Sequence, residues 1–128
     1  MIKDVNLSLI STKQAEEIKN ALCGGPTENR VLICSLDQKD MKVGGLYLPD
    51  NVAKDELPRK GVIITSGRIT EEYRSYEDTC TIPGIVVTYG VYAGKEIQPK
   101  FSKEMDTTNL KFHVLSLSEI IFIEPNDN

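Results

Sequence analysis

Asp37-Gln-Lys-Asp-Met-Lys-Val-Gly-Gly-Leu-Tyr-Leu-Pro-Asp-Asn-Val-Ala-Lys-Asp-Glu-Leu-Pro-Arg-Lys60 lies between Arg30-Val-Leu-Ile-Cys-Ser-Leu36 and Gly61-Val-Ile-Ile-Thr65. Both flanks are short, rich in β-branched residues and bounded by turn formers, which predicts β-strands. The segment between them predicts a loop. Charged residues from Lys39 to Lys60 crowd it, Gly44-Gly45 stand near its middle, and Pro49 and Pro58 follow. Connections of roughly 20 residues are uncommon inside compact domains and are usually functional or disordered. So polar a segment has too little apolar surface to offset the entropy of ordering it, and the two glycines add freedom. Leu46-Tyr47-Leu48 is the exception, because each large apolar side chain left in water forgoes about 1.5–3 kcal/mol. A mobile loop over about 37–60 with an apolar bait suits ordering in a partner's groove. The alternative is a long hairpin whose Leu46 and Leu48 tuck back onto their own domain.

Working outward, 128 residues make one domain with a modest core. The net charge of −4 and the lack of a basic tract argue against nucleic acid or an anionic membrane as partner. No apolar run approaches the ~18 residues of a membrane span, and Met1-Ile-Lys-Asp4 lacks the basic-then-apolar order of a signal peptide. Cys23, Cys34 and Cys80 are odd in number and have no motif spacing, which suits a reducing cytoplasm. Ser11-Thr-Lys-Gln14 has the form of a capping box, with Ile10 and Ala15 at the staple positions. Ala15, Ile18 and Leu22 then predict a short helix from about 12 to 22, ended by Gly24-Gly25-Pro26. Its thin apolar stripe points to docking on the domain or on a neighbouring subunit.

Six pieces now stand in order: Glu28-Asn-Arg-Val-Leu-Ile33, Val43-Gly-Gly-Leu-Tyr-Leu-Pro-Asp50, Lys60-Gly-Val-Ile-Ile-Thr-Ser-Gly67, Ile82-Pro-Gly-Ile-Val-Val87, Tyr92-Ala-Gly-Lys-Glu-Ile97 and Phe112-His-Val-Leu-Ser-Leu-Ser-Glu-Ile-Ile121. Together they resemble the co-chaperonins of the GroES family over about Asn29 to Glu124. The resemblance implies an all-β fold: a small irregular GroES-like β-barrel with a long mobile loop and a roof hairpin, plus a short N-terminal helical extension. Residues 1–27 are then the extension and 28–128 the barrel domain, with the roof hairpin at about 67–81.

The resemblance also implies a sevenfold homo-oligomeric ring. Such a ring caps an ATP-driven GroEL-type chaperonin and encloses an unfolded client protein. Gly44, Gly45, Leu46, Tyr47 and Leu48 would bind the chaperonin. The first strand would be an edge strand, its Arg30, Val31, Leu32 and Ile33 meeting Ile120, Ile121, Phe122 and Ile123 of the adjacent subunit. The alternative is that these strands pair within one chain. Arg68, Glu71, Glu72, Tyr73 and Tyr76 would belong to the roof hairpin. Carboxylates from several copies would crowd one axis there, or else form an ordinary solvated hairpin. The extension, Ile85 in place of the family's usual Asp, and the longer stretch Gln98 to Leu110 depart from the pattern. They would suit a divergent copy, for instance one carried by a virus; the extension, the Gln98–Leu110 stretch and the unusual Tyr47 would suit a ring-forming structural or adaptor protein without a chaperonin partner.

No catalytic constellation emerges. His113, the only histidine, alternates with apolar residues in Lys111-Phe-His-Val-Leu115 and reads as a barrel-surface or core-edge residue. Neither cysteines nor His113 have a ligand partner at metal-site spacing. Gly-rich phosphate-binding motifs are absent, so any nucleotide hydrolysis belongs to the partner. The expectation is a non-enzyme with no metal or cofactor.

Overall fold

The computed structural model describes residues 9–36, 42–43, 46–47, 58–90 and 92–126. In chain order the elements are α1 (Thr12–Ala21), β1 (Arg30–Leu36), β2 (Lys42–Val43), β3 (Leu46–Tyr47), β4 (Arg59–Ser66), β5 (Val86–Tyr89), β6 (Lys95–Ile97), β7 (Leu110–Ser116) and β8 (Ile120–Glu124). Six strands form one antiparallel sheet in the order β6-β7-β1-β4-β5-β8, and β2 pairs with β3 in a separate two-stranded sheet. The architecture is mostly β with one short helix, as expected.

β1 explains why the sequence around it is uniformly apolar. It pairs with β7 along its whole length, from Arg30↔Ser116 to Leu36↔Leu110, and with β4 from Val31↔Ser66 to Cys34↔Val62. Side chains alternate across a strand, so Leu32 and Cys34 face one side while Val31 and Ile33 face the other. Both sides are covered, and all four residues are buried. The first layer joins Leu32, Cys34, Val62, Ile64, Val86 and Phe112 to Ile10, Ala15 and Ile18 of the N-terminal segment. The second joins Val31, Ile33, Ile63, Val87, Tyr89 and Leu115 to Cys80 and Leu117.

α1 begins at the expected capping box. Ser11 Oγ accepts from the Gln14 amide at 3.2 Å, and Gln14 Oε1 accepts from the Ser11 amide at 2.9 Å. The helix ends at Ala21, one residue short of the expected end. Leu22 is extended instead, forming a bridge to Phe101 that no local signal announces. The Cys23 amide donates to the Lys100 carbonyl at 3.0 Å, and the Ser102 amide to the Ala21 carbonyl at 2.7 Å. Thus the extension and the 98–110 stretch, two of the three departures from the expected pattern, are joined to each other. Phe101 in turn meets Phe112, with ring centroids 5.8 Å apart. The other end of the helix is held by the Asn126 side chain, which donates to the Ile10 carbonyl at 3.0 Å. Gly84 permits that docking: its φ is +102°, and a Cβ there would stand 2.6 Å from Thr12 Oγ1.

Candidate functional site

Cys34 of β1 sits opposite Val62 of β4, so the 37–58 connection leaves and returns on neighbouring strands. Within it, Val43 pairs with Leu46 and Lys42 with Tyr47. Leu46 and Tyr47 therefore lie on the second strand of a short ladder, with Gly44-Gly45 between the two strands in the chain. Gly44, Gly45 and Leu48 lie outside the described residues.

The expected subunit seam needs correction on one side. Arg30, Val31, Leu32 and Ile33 do not form an edge, because β1 is hydrogen-bonded on both sides within its own chain. Val31 and Ile33 are completely buried, and Leu32 nearly so. The run is apolar because it is central, a distinction that a short apolar run cannot express by itself. Ile120, Ile121, Phe122 and Ile123 do stand at an end of the sheet, since among the described residues β8 pairs with β5 alone. Ile120 and Ile123 lean on the second core layer. Ile121 is 66% exposed and Phe122 58%.

The roof segment also differs from a paired hairpin. Residues 67–81 contain a 3-10 helix, Glu71–Tyr76, held by local bonds such as the Tyr73 amide to the Thr70 carbonyl and the Cys80 amide to the Tyr76 carbonyl. Tyr73 and Tyr76 are half-buried against the second core layer, with their rings 6.0 Å apart. Glu71 and Glu72 are exposed. Arg74 approaches Glu71 at 3.5 Å, and the exposed Arg68 approaches Glu28 at 3.7 Å, both at the surface where such pairs contribute about 0–1 kcal/mol.

Asn29 anchors this segment, a role that Glu28-Asn-Arg did not announce. Its Oδ1 accepts from the Thr70 amide at 2.9 Å and its Nδ2 donates to Thr70 Oγ1 at 2.9 Å. Its backbone is left-handed at φ 59°, a region asparagine tolerates. Gly67 then passes so close to the N-terminal segment that a Cβ would lie 2.1 Å from the Thr27 carbonyl oxygen.

Burial governs the titratable groups of the central strands. His113 sits on β7 opposite Ile33 of β1 and Glu96 of β6, with its ring 6.3 Å from that of Tyr89. Its Nδ1 is buried without a hydrogen-bond partner among the described residues. Burial pushes its pKa down, aided by Arg59 and Lys111 and opposed by Glu96. Burial likewise raises Tyr89, against the opposing effects of Ser35 and Arg59, and pushes the Cys34 thiol up to about 12. Among the described residues, no three of His, Cys, Asp and Glu are grouped to hold a metal ion. No described helix is long and apolar enough to cross a membrane.

Residues 25–121 match the family model described as Chaperonin 10 Kd subunit. The chain belongs to that family. It is therefore a co-chaperonin with the fold of a small GroES-like β-barrel. Its relatives include proteins named Co-chaperonin GroES. That of Bacteroides fragilis is 32% identical over 78 residues, 61% of this chain and 80% of the relative. That of Parabacteroides distasonis is 36% identical over 73 residues, 57% of this chain and 75% of the relative. That of Gemmatimonas aurantiaca is 32% identical over 74 residues, 56% and 72% of the respective chains. The co-chaperonin's α1 precedes the matched region, so the helix that completes its first core layer lies outside the family's common part.

Proposed function

We propose that this co-chaperonin is a ring-shaped lid whose mobile loops dock on the apical domains of an ATP-dependent, GroEL-type chaperonin and enclose a client protein. The family match carries the reading, because it runs through the 37–58 connection, both strands that root it and the beginning of β8. Gly44, Gly45, Leu46, Tyr47 and Leu48 are the docking element. The free, apolar edge of β8 supports assembly with further copies, since such an edge is otherwise an aggregation hazard.

The energetics suit a lid that must release. Burying three apolar side chains gains on the order of 5 kcal/mol gross. Fixing a few loop residues at about 1–2 kcal/mol each consumes most of that. One loop binds feebly, while several on one ring turn the later contacts into intramolecular events. Leu46→Asp and Leu48→Asp are each expected to abolish co-sedimentation with a GroEL-type chaperonin in ATP, leaving circular dichroism and oligomer size unchanged. Undiminished capture by both variants would refute the docking element. Failure of the wild-type ring to bind any such chaperonin would favour a ring-forming adaptor that borrowed the barrel.

A further inference from the structure

At the foot of the 37–58 connection the sheet divides. Among the described residues the ladder between β1 and β4 ends at Cys34↔Val62. Past that pair, Ser35 and Leu36 continue on β7, opposite Lys111 and Leu110. Arg59, Lys60 and Gly61 continue on β5, opposite Tyr89, Thr88 and Val87. The connection therefore leaves from one half of the split and returns to the other. Directly paired residues share a face of the sheet. Ser35 with Lys111, Arg59 with Tyr89, and Glu96 with His113 all lie on the face of the second core layer. Two contacts cross the split. The Ser35 side chain of β1 meets the Tyr89 phenol of β5. The His113 ring of β7 stands 6.3 Å from the ring of the same tyrosine. Tyr89 is buried and His113 half-buried, so the two rings close the interior at the end where the connection is rooted.

A neutral imidazole suits that seat and a charged one does not. Nδ1 is buried with no hydrogen-bond partner among the described residues. The imidazolium has two N–H donors, so one of them would be buried and unpaired. Burial is the largest obstacle to charge; Glu96 of β6 favours the charged ring, while Arg59 of β4 and Lys111 of β7 oppose it. Of the remaining neighbours, Tyr89 stays uncharged because burial raises its pKa, and Ser35 and Ile33 of β1 carry no charge.

We propose that His113 is a proton-sensitive latch for the docking connection: the neutral ring holds the two halves of the split together, and the protonated ring leaves its seat against Tyr89 and frees the strand ends at 35–36 and 59–61. The inference rests on the lid function proposed above and adds a regulation of its docking element. Opening gives both ring nitrogens access to water, so the open state takes up the proton more readily than the closed one. Opening therefore grows as the pH falls below the ordinary histidine value of 6.5. Freed strand ends must be ordered again when the connection docks, so capture weakens with them. His113 is the only histidine, and histidine is the side chain whose ordinary titration falls in this range.

The full-length wild type and His113→Gln are compared from about pH 7.5 to about pH 5.5, where a histidine titrates. Amide hydrogen exchange, corrected for its intrinsic pH dependence, is followed beside co-sedimentation with a GroEL-type chaperonin in ATP. One chaperonin serves both proteins, so its own response to pH cancels in the ratio of their capture. Exchange at 35–36 and 59–61 is expected to rise in the wild type as the pH falls, ahead of that at 30–32 and 64–66, and to stay level in His113→Gln. Capture by the wild type relative to the variant is expected to fall about threefold. Two charge variants keep the test open if His113→Gln does not fold. Glu96→Gln should move the wild-type exchange transition to lower pH, and Lys111→Gln to higher pH, whereas a merely structural His113 leaves both midpoints in place. Strand-end exchange that ignores pH, or that responds alike in His113→Gln, overturns the latch, as do unmoved midpoints or a constant capture ratio. Absence of wild-type capture at every pH overturns the lid instead, and the exchange data still decide the latch.

Discussion

Asn29 occupies a position where three parts of the chain converge. Its amide donates to the Arg68 carbonyl at 2.8 Å, its carbonyl accepts from Leu117 at 3.0 Å, and its side chain holds Thr70. Asn29→Leu removes the side-chain bonds and forces a branched residue into left-handed backbone, with an expected cost of about 2–4 kcal/mol. Asn29→Gly keeps the backbone free and is expected to lose less, and urea midpoints compare the two. His113 makes a pH prediction. Its folded pKa lies below the ordinary 6.5, so the unfolded chain binds more protons as the pH falls through that value. Stability is therefore present at higher pH and lost as the pH falls through 6.5 towards the folded pKa. His113→Gln is expected to show a shallower decline in Tm between pH 7 and pH 5 than the wild type; equal slopes would assign the acid sensitivity elsewhere.

At the level of elements, α1 behaves as a core component, although it precedes the family's common part. Ala15, Ile18 and Ala21 are buried, and Ile18 packs in the same layer as Val62, Ile64 and Val86. Ile18→Ala is expected to cost about 2–5 kcal/mol in chemical denaturation. Lys13→Ala on the exposed side should remain within about 0.5 kcal/mol of wild type. Equal, negligible effects would mean that the helix is dispensable. The start of α1 was legible because a capping box is written within four consecutive residues. Its end was not, because Leu22 is diverted by Phe101, far away in the chain. The Glu71–Tyr76 coil was hidden for a similar reason: Tyr73 and Tyr76 read as projecting aromatics until the surface beneath them is known.

For the whole molecule, the proposed lid depends on number as much as on contact. If several feeble loops act together, chaperonin capture should fall steeply on dilution at the concentration where the ring dissociates, rather than following a simple one-site curve. Parallel measurement of oligomer size by scattering and of capture by co-sedimentation checks this. Capture that persists in a dispersed monomer would mean that one loop suffices.

Arg30–Leu36 and Gly61–Thr65 were legible as strands from their own residues, and the order of the six pieces brought the family resemblance that implied the rest of the all-β fold. The charged, glycine-centred connection picked out Leu46-Tyr47-Leu48, and the capping box located the helix. These are properties of neighbours in the chain, so they survive without knowledge of the fold. Only the tertiary structure decided that β1 is central while β8 is an edge, because a short apolar run records burial but not which strand lies on either side. The same holds for the bridge from Leu22 to Phe101, whose partners are distant in the chain and meet only in the folded sheet.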